Sequence, residues 1–238
     1  MDHDTEELNR ALAQRVIEGI MSIVLAFTII LLLVLGIVDF PALRMRGFPL
    51  YFIPCALVVF GTFMFWRAKI PQEGWGAAAG ASLLLAILWM YFMPILSWWM
   101  QAKFSLYLTV NLLCFTLTSI ALAVALNLVS SKAARFIGLD IQALDFYYAA
   151  WLSGIMLSVP LIWALCLIIP DLLRDGSLPF DQMNLALQPH QIGILILLPL
   201  TLPLMSLMRV GWGLRQYTQS FETAEPEIID EESSLNNS

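Results

Sequence analysis

The chain has 238 residues, of which 60% are apolar and 13% charged, and its mean hydropathy is +0.80. A soluble domain is roughly a quarter charged, so this composition excludes an ordinary water-covered surface and points to lipid as the solvent for most of it. The net charge of −6 is local: Glu222, Glu225, Glu227, Asp230, Glu231 and Glu232 lie near the end, and the twelve remaining acids balance the twelve bases, which excludes a basic face for nucleic acid.

The first element is expected over residues 4–17, as a short helix. Asp4 and Glu7 have capping-box spacing, Glu6 and Arg10 form an i,i+4 pair, and Leu8, Leu12 and Val16 make one apolar stripe. The acidic start lacks the positive n-region of a secretory signal, so the first long apolar run is expected to be retained as a span.

Six uncharged apolar runs follow, at 19–38, 50–66, 76–98, 104–129, 146–169 and 192–208. A helix of about 20 residues, at 1.5 Å per residue, crosses a hydrocarbon core of about 30 Å. Helices are the expected form because each satisfies its own backbone hydrogen bonds in lipid, and the alternating pattern of a membrane barrel is absent. The expected fold is therefore all-α: a polytopic integral membrane protein with a six-helix transmembrane bundle over 19–216. A cytoplasmic N-terminal amphipathic helix, 1–18, precedes it, and an acidic disordered cytoplasmic tail, 217–238, follows.

Six spans put both termini on one side. That side carries Arg10, Arg15, Arg67, Lys69, Lys132, Arg135, Arg209 and Arg215, against Arg44, Arg46, Lys103 and Arg174 on the other. The bias predicts cytoplasmic termini. A multi-pass protein of the cell membrane follows, and the compact size and short loops suggest a bacterial inner membrane. Trp66, Trp75, Tyr147, Tyr148, Trp151 and Trp212 fall near the inner interface, where amphipathic rings anchor. The loop 130–145 mixes Lys132 and Arg135 with Phe136, Ile137, Ile141 and Leu144 and reads as an interfacial segment.

Small residues mark expected helix contacts. Gly76 and Gly80 open the third span, and Gly154 and Ser158 lie in the fifth; small residues let helices approach closely in lipid. In the sixth, Pro199 and Pro203 remove N–H groups, leaving the carbonyls of Leu195 and Pro199 without i+4 partners. A bend packed against neighbours is favoured over a moving hinge, because kinks are common in membrane helices and the first half has no matching pair. Thr201 is one hydroxyl that adjusts the local bonding there. Asn111 in the fourth span is the candidate donor to a freed carbonyl, or a lining residue of a substrate cavity.

Chemistry is sparse. No charge lies deep in a run, which weighs against a proton relay. Cys55, Cys114 and Cys166 occupy separate runs, and only His3 and His190 exist, so no metal, haem or other cofactor site is expected and no catalytic residue is assigned. No phosphate-binding glycine loop for nucleotide is present. The loop 171–191, with Asp171, Arg174, Asp175, Asp181 and His190, is where an active site would sit in the weakest reading, a membrane enzyme. The favoured reading is an interaction or accessory subunit without its own catalysis, with the bilayer and other membrane subunits as partners. The alternative is a carrier or substrate-binding subunit for a small neutral or amphipathic molecule, with a cavity at mid-depth near Asn111, Trp89 and Trp163.

Overall fold

The computed structural model describes residues 3–34, 52–101, 106–175 and 201–220, and every regular element among them is helical. In chain order these are α1 (His3–Val34), α2 (Phe52–Ala68), α3 (Trp75–Gln101), α4 (Leu106–Phe136), α5 (Asp140–Asp175) and α6 (201–220). Three stretches are long and apolar enough to cross a membrane: Glu7–Leu32, Trp75–Phe92 and Leu113–Phe136. The whole of α2 is apolar but shorter, at 17 residues. Large apolar side chains are exposed as well as buried: Met21 and Leu25 on α1, Ile53 and Phe60 on α2, Leu84 and Leu88 on α3, Ile155 and Val159 on α5. Helices that are apolar on every side belong in lipid, and the chain is a membrane protein.

Sequential helices pack side by side, α1 on α2, α2 on α3, α3 on α4 and α4 on α5. The last, α6, returns to the first, with Gly211 against Ile20, and also meets the end of α4, where the Tyr217 ring packs edge-on to Phe136 at 6.0 Å. The tightest crossing is between α1 and α2. A Cβ on Gly19 would lie 2.7 Å from the carbonyl oxygen of Gly61, and a Cβ on Gly61 would lie 2.6 Å from that of Gly19. Two backbones touch here, which only a pair of glycines permits. Ser22 adds a cross-helix bond, its hydroxyl donating to the Leu57 carbonyl at 2.9 Å.

The N-terminal segment and the first span are one continuous helix, so residue 18 falls inside α1 rather than at a break. Leu12 and Val16 are buried as the stripe requires, but Leu8 is exposed. The segment 130–145 is not a loop. Helix α4 runs through it to Phe136 and stops at Gly138, whose φ of 76° is open to glycine. Gly138 N–H donates to Arg135 and Leu139 N–H to Ala134, the two bonds that close a Schellman end, and α5 begins at once with Asp140. Helices α3 and α5 continue through Pro94 and Pro160.

Gly61→Ala is expected to destabilise the purified protein by about 1–3 kcal/mol, because the new methyl meets backbone that cannot move aside. Gly76→Ala, with nothing within 4 Å of the added atom, should stay within about 1 kcal/mol of the parent. Unfolding by graded denaturing detergent measures both.

Candidate functional site

The contacts between helices fix one common level across the bundle. Gly19 meets Gly61, Trp66 lies beside Gly80, Trp89 beside Ser119, Asn127 beside Ser153 and Gly211 beside Ile20. Following the six helices through these pairs gives a layer of small and polar residues: Gly19, Gly61, Ser82, Asn127, Ser153 and Gly211. All but the half-buried Gly211 are buried.

Asn127 is the centre of its polar chemistry. Its Nδ2 donates to the Ala123 carbonyl at 3.1 Å and to the Ser153 hydroxyl on α5 at 3.2 Å, and Ser153 in turn donates to Ala149 at 2.7 Å. Among the described residues Oδ1 of Asn127 has no partner. A cross-helix bond in lipid contributes on the order of 1 kcal/mol, and an unpaired buried acceptor costs a similar amount, so this clasp orients α4 against α5 more than it stabilises them. Toward the α4–α5 turn, Ser131 donates to the Ala143 carbonyl at 2.6 Å. Lys132 donates to the Glu73 carbonyl at 2.7 Å, so α4 holds the turn that leads into α3. Trp75, expected as an interface anchor, is 1% exposed: its indole N–H donates to the Phe65 carbonyl at 3.2 Å and its ring meets Phe65 edge-on. The polar edge of the ring found a carbonyl on the neighbouring helix instead of the headgroups. Trp66, Tyr147, Tyr148, Trp151 and Trp212 are all exposed around this end.

About 10–15 Å further along the helices, α3 and α4 meet through Trp89 and Phe115. The rings stack at 6.0 Å with 17° between planes, and the Trp89 indole donates to the Ser119 hydroxyl at 2.9 Å. Trp89 is buried to 6% exposure. Trp89, expected from sequence to line a mid-depth cavity, turns its indole against α4. The Trp163 side chain lies outside the described residues.

The sequence-derived candidates fall as follows. Asn111 is half-buried, and its Nδ2 donates to the carbonyl of its own preceding turn, Tyr107, at 2.8 Å. The register sets it about two turns further from the Gly19–Gly61 layer than Pro203 and Thr201, so the structure does not bring these residues together. Pro203 is buried and Thr201 is an exposed residue with a bonding partner. Pro199 lies outside the described residues, as do Asp181 and His190 of the outer loop. Gly154 is a contact, its Cβ position 3.2 Å from Val124 on α4, and Ser158 one turn on is half-buried. Gly80 has only ordinary contact with Trp66 at 3.9 Å, and Gly76 faces open space; among the described glycines the backbone-to-backbone approach lies at Gly19 and Gly61 instead. Among the described residues no three His, Cys, Asp or Glu side chains gather to hold a metal.

No family model, no curated protein and no solved structure matches the chain.

Trp89→Phe keeps the stack and loses one donor, and should cost about 1 kcal/mol. Trp89→Ala opens a void and should cost about 3–5 kcal/mol. Unfolding midpoints of the two variants in the same detergent check the difference.

Proposed function

We propose that the protein is a six-span membrane subunit that serves by interaction, an accessory component of a membrane complex without catalysis of its own. The observation that carries this reading is the filled mid-depth contact: Trp89, stacked on Phe115 and bonded to Ser119, occupies the depth where a carrier for a neutral molecule needs an opening. The inter-helix polar groups are used in holding helices together, and Asn111 serves its own turn rather than a cavity.

The layer through Gly19, Gly61, Asn127 and Ser153 is read as the inner edge of the hydrocarbon core. Glu18, Trp151 and Trp212 are exposed at that level, and Arg67, Lys132, Arg135 and Arg215 lie inward of it. About 20 residues outward along α3 and α5, the distance of one core thickness, stand Trp99 and Asp171. With α6 antiparallel to α1 this gives both termini in the cytoplasm, and a bacterial inner membrane is the proposed location.

The test is purification of the whole protein in mild detergent from its native membrane, followed by native mass spectrometry. A membrane protein bound at fixed stoichiometry through repeated purification is the expected result. A lone chain that binds a small metabolite saturably, with binding abolished by Trp89→Phe, would overturn the reading in favour of a carrier.

A further inference from the structure

Helix α5 shows two faces. Ala143, Phe146, Ala150 and Ser153 are buried on the side of α4, where Ser131 and Asn127 bond to it. On the other side Ile141, Leu144, Tyr148, Trp151 and Ile155 are all exposed, Ile141 at 83%. They stand alternately three and four residues apart, the a and d positions of a heptad, and Ile162, also exposed, falls at the next a. Such a row is the seam with which one helix packs on another. Beside it the Tyr147 ring meets Tyr148 at 6.2 Å and Trp151 at 6.5 Å, both edge-on.

Ser153 lies in the layer read above as the inner edge of the hydrocarbon core. Tyr148, Leu144 and Ile141 precede it by five, nine and twelve residues, which sets them about 7, 13 and 18 Å inward along the helix axis. At comparable depth Arg67, Arg135 and Arg215 are exposed on α2, α4 and α6, so lipid tails do not cover this end of the seam. Tyr148 and Trp151 have polar tips that suit headgroups, but Leu144 and Ile141 have none and lie further inward. A side chain of that size left in water forgoes about 1.5–3 kcal/mol of burial. Asp140 and Asp145, both exposed, flank the seam at g and e, and residues 140–170 hold no Lys or Arg. Among the described residues no base pairs with either acid. Asp140 also suits the first turn of a helix; Asp145 lies beyond that turn. A second copy in the same membrane lies parallel, and a parallel seam sets each g opposite the e five residues on. Asp140 of each copy then faces Asp145 of the other, like charge against like. The charges suit a cover that is basic there.

We propose that the Ile141–Leu144–Tyr148–Trp151 seam of α5 docks a helix of another membrane protein, one with apolar residues along the seam and Lys or Arg beside Asp140 and Asp145. This rests on the accessory reading above and gives it a surface. The seam runs without a break from the core past its inner edge, so its cover is a helix that spans the membrane and extends past that edge as α5 does.

The experiment places the photoreactive residue p-benzoylphenylalanine at Leu144 of the full chain in its native membrane and, for comparison, at Leu84, which is exposed on α3. After irradiation the adduct is purified and its cross-linked peptide is sequenced by mass spectrometry. The expected adduct forms from Leu144 and not from Leu84. It maps to a spanning helix of one other protein, with Lys or Arg within about two turns of the cross-link. Asp145→Lys should lower its yield on the order of tenfold, and Asp145→Asn by less. Asp145 is exposed and makes no ion pair among the described residues, so both variants should keep the parent's unfolding midpoint, which separates lost docking from lost fold. A cross-link to a second copy, strengthened by Asp145→Lys, overturns the inference in favour of a self-paired seam. An adduct with lipid alone, a partner helix without a base at that place, or a yield unchanged by Asp145→Lys also overturns it. Adducts at Leu84 in place of Leu144, or at neither, with a partner still held in native mass spectrometry, overturn the seam and keep the accessory reading. A chain found alone by native mass spectrometry overturns the accessory reading itself, and that is seen before any adduct is mapped.

Discussion

Where α1 crosses α2, the carbonyl oxygens of Gly19 and Gly61 each occupy the space that the other's side chain would need. In lipid there is no hydrophobic gain from bringing two apolar helices together, so shape and close contact must hold them. A backbone crossing of this kind supplies that contact and fixes rotation and depth at once. The rest of the register follows from it through short connections. Phe65, one turn below Gly61, accepts from Trp75 at the start of α3. Trp89 on α3 then meets α4, Asn127 on α4 meets α5, and α6 closes back on Ile20 one residue beyond Gly19.

Much of this was legible from composition and run length, because those report the solvent. Sixty per cent apolar residues with charges confined to the ends of runs suit helices in lipid, and the described helices overlap the runs. What composition does not report is which face of an all-apolar helix meets which neighbour. Gly76 and Gly80 have the spacing of a packing motif as surely as any pair in the chain, yet Gly76 faces outward. Gly19 and Gly61 stand alone in their helices, and their pairing is a fact of tertiary register, invisible along one strand of sequence. Asn127 falls inside an apolar run, and its partner Ser153 is 26 residues away on another helix, a pairing that no spacing along the chain reports.

Two misreadings have a clearer physical lesson. The segment around Gly138 mixes charged and apolar residues, which resembles an interfacial loop. The local signal was in fact the sequence Phe136, Ile137, Gly138, Leu139, Asp140: a glycine just past a helix, a hydrophobic residue after it, then an acid that opens the next helix. Those are stop and start signals with almost nothing between them. Trp75 shows the other lesson. An indole beside a predicted membrane edge has two equally good homes, headgroups or a neighbouring helix's carbonyl, and only the three-dimensional position of Phe65 decides between them.

The hydroxyls divide into two groups, and the division bears on what the bundle can do. Thr62, Thr118, Ser119, Ser130 and Ser206 donate to the carbonyl three or four residues earlier on their own helix. Such bonds neutralise the hydroxyl in lipid but tie no helix to another. Among the described residues, the bonds that cross between helices include Ser22 to Leu57, Arg215 to Met21, Trp75 to Phe65, Asn127 to Ser153, Ser131 to Ala143 and Lys132 to Glu73, with Trp89 to Ser119 further along. All but the last sit within about two turns of the Gly19–Gly61 layer. Among the described residues, the hydrogen bonds between helices thus gather toward one end. A transport cycle of alternating access needs a site at mid-depth between elements that rock about it. Here that end carries the N-terminal turns of α1 and the short turns at Gly74 and Gly138. A partner docking on that end would meet helices already bonded to one another, which lowers the ordering cost of binding.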